Sequence, residues 1–316
     1  MNAGRGAPDD NNRTRGDAWD YARRVVRWYR LGEDLGARGR RAGGGTGADP
    51  PNSAAMHPLL VALVAGLGFM IVVWLLSLPL RNSSIVDVAW GPAFLLQAVV
   101  YSSLTPDGWA ARKTLVLVLV AVWATRLAVH VATRNAGKGE DFRYAAWRAA
   151  AGASWWWRSF YRVFVLQGLL AWLIGMPLLA AQSGGPAAWT PLDVIGVGLW
   201  IIGFFFEAGG DWQLRAFLRD PANRGRSMTR GLWRFTRHPN YFGDATQWWG
   251  FFAIAAAAGG WWSLLSPVVM TFLLVRVSGV GMLERTIAER RPDYADYMRT
   301  TSAFIPWFPR PSVDRP

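Results

Sequence analysis

Two cations, a prolyl turn and an amide stand in consecutive positions in the stretch Gly231-Leu-Trp-Arg-Phe-Thr-Arg-His-Pro-Asn-Tyr-Phe-Gly-Asp244. Pro239 fixes its own φ and pushes His238 towards an extended shape, so a helix begins here rather than running through. A helix starting near Asn240 aims its free N–H groups, and the positive end of its dipole, at the side of Arg237 and His238. That chemistry suits a phosphate. A basic loop beside a membrane explains the arginines, but not why His238, Pro239, Asn240 and Tyr241 are consecutive.

Other groups recur at helical spacing. Glu207, Asp211 and Arg215 fall at i, i+4 and i+8, one face of a helix, with Arg219 a turn later. Arg126, His130 and Arg134 form a second polar stripe, for which Asp87 is the natural carboxylate partner. Arg276 lies inside the last apolar run, and Glu284 follows eight residues later on the same face. An ionisable group at membrane depth is costly and points to function. Glu140, Asp141 and Tyr144 make a polar loop patch, which is most often solvated surface. The histidines are far apart, and no His or carboxylate spacing suggests a metal.

The elements that must hold these residues are membrane spans. Residues 57–80, 85–104, 114–133, 160–182, 192–210, 245–258 and 264–283 are apolar runs, most near the ~20 residues that cross a bilayer. The expected fold is therefore all-α, a polytopic bundle of about seven transmembrane helices over residues 56–316. The run 245–258 is short and needs Tyr241–Asp244 or its neighbours to complete it. Gly259-Gly-Trp-Trp262 reads as a tight hairpin.

Residues 1–55 differ, being rich in Gly, Arg, Asp and Pro. They read as a disordered polar tail with a short amphipathic helix around Ala18–Tyr29. The chain of 316 residues is 52% hydrophobic, has 20 Trp and no Cys, and carries a formal charge of +13. Its cations sit in short blocks between apolar runs, and no nucleic-acid motif is present, which excludes nucleic-acid binding. Loop 134–160 has five cations against two acids, and 211–243 has seven against two. The positive-inside rule places both loops, and the C-terminus, in the cytoplasm. The tail, with ten cations and seven acids, falls outside under this orientation.

The central stretch is similar to the signature of steroid 5-alpha-reductases and sterol delta-14 reductases. Isoprenylcysteine carboxyl methyltransferases carry a related Arg-His-Pro. The chain resembles most the bacterial steroid-5-alpha-reductase-like branch, of mostly unassigned substrate. Ser84–Gly91, Gly137–Tyr144, Phe206–Ala208, Val277–Val280 and Phe304–Trp307 carry that resemblance in order.

The resemblance implies an integral protein of a bacterial inner membrane. It implies a NADPH cavity lined by Glu207, Asp211, Arg215, Arg237, His238, Asn240, Tyr241, Asp244, Arg276 and Glu284. It also places Asp87 where the reductases have the carboxylate that holds a ketone. The partner tyrosine of their third helix corresponds to Val131 here, so His130 or Tyr144 is left to supply the proton. The implied activity is reduction of an activated C=C bond in a steroid-like or other lipid-soluble substrate, which enters between the N-terminal helices. An S-adenosylmethionine-dependent lipid or prenyl-cysteine carboxyl methyltransferase and a non-catalytic lipid-binding protein are the competing readings.

Overall fold

A computed structural model describes residues 53–277, 284, 291 and 293–311; the polar tail 1–55, with its proposed short helix, lies almost wholly outside them. Among the described residues every regular element is helical. Helix α1 is Ser53–Leu80, α2 is Ile85–Leu104 and α3 is Ala110–Asn135. Next come α4 (Phe142–Ala151), α5 (Trp155–Ser159), a π-helical turn at Phe160–Val165, α6 (Leu166–Ile174) and α7 (Met176–Gln182). Helix α8 is Pro191–Arg219, α9 is Pro239–Ala257, α10 is Leu265–Phe272 and α11 is Tyr294–Thr300.

Five segments are long and apolar enough to cross a membrane: Pro58–Leu80, Ile85–Leu104, Ala110–Asn135, Phe142–Gln182 and Pro191–Arg219. The fourth begins well before the apolar run at Phe160, because α4 and α5 extend it on its polar side. Gly175 and Pro177 interrupt it: the proline ring cannot donate to the preceding turn, so a new helix starts at Met176. Helix α9 has 19 residues, and the apolar stretch Trp261–Val277 is shorter still. The expected sixth segment and the described part of the seventh are thus helical, but among the described residues five segments meet the length and composition of a span.

The firmest packing joins α8 to α9, and glycine explains it. Gly196 and Gly203 on α8 face Gly250 and Gly243 on α9, each pair spaced by seven. A Cβ on Gly203 would lie 2.5 Å from the Gly243 carbonyl oxygen, and one on Gly250 2.6 Å from that of Gly196. The two backbones therefore touch directly, as small-residue seams allow between membrane helices. Beside this seam Phe94, Trp123 and Trp248 form a buried aromatic triangle, with ring centroids 4.7–5.6 Å apart. By contrast, α3 and α8 touch sparingly.

At the end far from the central motif, Arg112 is fully buried and pairs with Asp193. Its Nε and Nη2 donate to the two carboxylate oxygens at 2.8 and 3.0 Å. Its remaining N–H groups reach the carbonyls of Gly184, Pro186 and Ala188. Asp193 also closes a capping box with Thr190 at the start of α8, where Pro191 takes the first helical position. One ion pair thus ties α3, the loop 183–190 and the start of α8 together.

Candidate functional site

Helix α9 begins at Pro239 with His238 as its N-cap residue, as the prolyl turn requires. The segment before it is pinned to the C-terminal strip rather than left open. The guanidinium of Arg237 donates to Glu284 at 2.7 and 3.1 Å, and to the carbonyls of Met298 and Thr301. The Arg237 N–H reaches the Ser302 carbonyl, and the Trp307 N–H reaches that of Phe235. His238 lies 3.2 Å from Glu284 and stacks flat on Tyr241. Most of the donors of Arg237 are therefore committed to protein acceptors. Its first role is to fasten the motif to the segment after Glu284.

Burial works against the charge on Glu284, but hydrogen bonds from His238 and Arg237 outweigh it and hold its pKa below the ordinary 4.5. A depressed carboxylate stabilises the fold above its unfolded pKa and loses that contribution as pH falls through the folded value. Glu284→Gln is therefore expected to lower the melting temperature by a constant amount from pH 7 to about 5. The difference should begin to shrink as pH falls past the unfolded value near about 4.5, and be lost as it falls through the lower folded pKa. Thermal melts of both purified proteins from pH 7 downwards check it; a gap that does not shrink at all on acidification refutes the ion-pair account.

The polar stripe of α3 meets the polar face of α8. Arg126 donates to Glu207 Oε1 at 2.5 Å and to Asp211 Oδ2, and its Nη2 also reaches the Glu207 carbonyl. Glu207 further accepts from Trp123 Nε1 at 3.1 Å and Gln247 Nε2 at 2.6 Å. Asp211 accepts from Asn240 Nδ2 at 3.0 Å, and His130 Nε2 stands 3.4 Å from it. Three helices thus converge on two buried carboxylates through one arginine. The stripe's partner is this pair and not Asp87. The correction has a simple cause: α8 runs beside α3, and spacing alone could not say which acid would face it.

Asp87 has other company. It accepts from Tyr144 Oη at 2.7 Å and from Arg143 Nη2 at 3.1 Å. Glu140 takes the Ser83 N–H at 2.6 Å and both the Nε and Nη2 of Arg148. Asp141 accepts from the N–H and Nε of Arg143. Burial disfavours the charged forms of Glu140 and Asp141, yet bonds from Arg148 and Arg143 hold both pKa values down. The loop patch therefore clasps the N-terminus of α2, where negative charge is favoured, and positions Tyr144 against Asp87. Asp87 and Tyr144 are brought together; His130 is not with them.

A cleft of about 530 Å³ opens between the ends of α3 and α8, the start of α9 and α11. Arg134, Lys138, Arg215, Arg219, Arg237 and Arg291 line it, against the single carboxylate of Asp211; His130, His238, Asn240 and Tyr241 are also there. Lys138 and Arg219 make no ion pair among the described residues, whereas Arg215 reaches Thr133 Oγ1 at 3.0 Å. Glu207 does not line the cleft; Arg126 ties it to Asp211, which does.

Four expected cleft residues do not line it: Glu207, Glu284, which pairs with Arg237, and two that stand further apart, Arg276 and Asp244. Arg276 is exposed and does not line the cleft. It sits in the π-helical turn Leu273–Val277; residues 278–283, which lead on to Glu284, lie outside the described residues. Asp244 is not at the cleft either; its Oδ1 is buried with no hydrogen-bond partner among the described residues.

Residues absent from the expected site are Trp123, Gln247 and, as its hub, Arg126. Gln247 follows Asp211-binding Asn240 by two turns of α9, and that spacing was its only signal. The glycine seam was visible as glycines seven apart.

Helices without strands, five of them long and apolar enough to span a bilayer, and a charged cluster held between them define a multi-pass integral membrane protein. Residues 73–301 match the family model described as "Protein of unknown function (DUF1295)", and the chain belongs to that family. It is similar to "Uncharacterized protein C594.04c" of Schizosaccharomyces pombe, at 26% identity over 281 residues, covering 79% of this chain and 80% of that protein. No solved structure matches it.

Proposed function

We propose that the protein is a membrane-embedded NADPH-dependent reductase of an activated C=C bond in a lipid-soluble substrate. The observation that carries this reading is the cleft itself, where, among the described residues, Arg134, Lys138, Arg215, Arg219 and Arg291 face one carboxylate beside an amide and two imidazoles, Arg237 being paired with Glu284. A nucleotide with several phosphates fits such a lining: guanidinium and ammonium groups take the phosphates, while Asp211 and Asn240 are placed for ribose hydroxyls or a carboxamide. S-Adenosylmethionine carries a sulfonium and no phosphate, so the same lining disfavours a methyltransferase. The likeness of the central stretch to the steroid 5-alpha-reductase signature supports the same choice.

The bound nicotinamide supplies a hydride. The protein's part is to orient and to protonate. Asp211 stands 3.4 Å from His130 Nε2, which orients the imidazole as a proton donor. Asp87 fixes the Tyr144 hydroxyl in the same manner, giving a second oriented donor at the start of α2. The excess of cations in 134–160 and 211–243 supports a cytoplasmic cleft and C-terminus, within reach of nicotinamide nucleotides.

Removing one charged partner of a bound phosphate or ribose costs about 1.5–3 kcal/mol, roughly ten- to a hundredfold in affinity. Arg219→Ala and Asn240→Ala are each expected to weaken NADPH binding by that order. Arg276→Ala should leave it within about twofold, the exposed side chain being away from the cleft. Titration of NADPH into detergent-purified protein, followed by thermal shift or nucleotide fluorescence, decides this. A wild-type protein that ignores NADPH and responds to S-adenosylmethionine overturns the reading, and a response to neither leaves the lipid-binding alternative.

A further inference from the structure

On the lipid side of the cleft, α3 and α8 stand apart and leave a groove of about 770 Å³. Its base is made by small side chains, Ala121, Thr125 and Ala208. Val122, Val129 and Trp212 flank it and are 45%, 57% and 70% exposed. The groove is not wholly apolar: Arg126, His130 and Arg215, all hydrogen-bond donors, also line it. His130, Thr133 and Arg215 line both this groove and the cation-lined cleft.

Where the two spaces share their lining, Arg215 Nη1 donates to Thr133 Oγ1 at 3.0 Å in an exposed hydrogen bond. Below it α3 and α8 are bridged by polar contacts, from Arg126 and Trp123 to Glu207, rather than by apolar interdigitation. Each of the three donors already has a protein partner: Arg126 holds Glu207 and Asp211, His130 stands 3.4 Å from Asp211, and Arg215 reaches Thr133. Polar groups lining an apolar trough are still costly to face with hydrocarbon alone, and an accepting head group offsets that cost.

We propose that this groove is the lateral entry and seat of the substrate, a single-chain amphiphile with a hydrogen-bond-accepting head. The chain lies along Val122, Val129 and Trp212, in contact with the bilayer. The head reaches Arg126, His130 and Arg215, next to the cleft where the nucleotide is proposed to sit. Entry is thus between α3 and α8 and not between the N-terminal helices. The inference rests on the reductase reading for the reaction, but the binding site stands on the groove alone.

The test uses the full chain in phosphatidylcholine nanodiscs with a photoactivatable diazirine analogue of palmitic acid, followed by peptide mapping. Saturable labelling of 121–129 and 208–215, displaced by excess palmitate, is expected. Ala208→Phe, and separately Val129→Trp, should cut it at least tenfold. A diazirine alkane without a head group should label the exposed face of α1 around Leu75 and Leu76 as strongly as the groove. Labelling by the fatty acid that does not saturate, or that neither variant reduces, overturns the proposal. The NADPH thermal shift in the same samples separates the two readings. A shift without groove labelling sinks the groove, and groove labelling without a shift sinks the reductase while the amphiphile site stands.

Discussion

Arg126→Met is expected to lower the stability of the purified protein by about 3–5 kcal/mol, the usual cost of removing one partner from a buried ion pair. The side chains of Arg126 and Glu207 are 16% and 4% exposed. Without the guanidinium, Glu207 keeps only Trp123 and Gln247 as donors, and a second carboxylate, Asp211, stands one turn away. The two acids then repel each other where water does not screen them. A second substitution identifies the cause. Glu207→Gln in the Arg126→Met background removes the orphaned charge and should recover most of the loss. If the double variant melts as low as the single one, Arg126 acts by packing and the electrostatic account fails.

The second large effect is expected at the opposite end of the bundle. Arg112→Met should also cost about 3–5 kcal/mol, because Asp193 is left buried and unpaired. Here the recovery is expected to be incomplete. Arg112→Met with Asp193→Leu removes both charges, but it also removes the capping box with Thr190, worth ~1 kcal/mol. The carbonyls of Gly184, Pro186 and Ala188 stay without their donor as well. The double variant should therefore sit between the single variant and wild type. Melting of the four proteins in one detergent forms the cycle. A double variant equal to wild type would show that the carbonyl contacts and the cap contribute nothing.

How much of this was legible from residues alone differs between fold and site. The bilayer demands long uncharged helices, so apolar runs announce themselves, and the span read at 85–104 is α2 as found. The start of the fourth segment was missed, because Arg143, Arg148 and Arg158 break the apolar pattern of Phe142–Ser159 although the backbone stays largely helical. Pro239 marked the start of α9 correctly because its constraint is local. Partnerships were not legible in this way. Arg126 and Glu207 are 81 residues apart, and only the packing of α3 beside α8 says that they meet. Arg276 is exposed in a π-helical turn and away from the cleft lining, and an apolar run gives no sign of which way one cation within it faces.

The buried pair of Arg112 and Asp193 also constrains the order in which the protein is made. The partners are separated by 81 positions in the chain. At about 5–20 residues per second the second appears roughly 4–16 s after the first. During that interval α3 is already synthesised, with a guanidinium close to its first turn and no carboxylate to receive it. Until then its arginine has only headgroups or water to meet. The ion pair closes only when the start of α8 arrives. Docking of the third helix is therefore completed by the fifth long segment, and a chain that stalls before Asp193 leaves that guanidinium without its carboxylate.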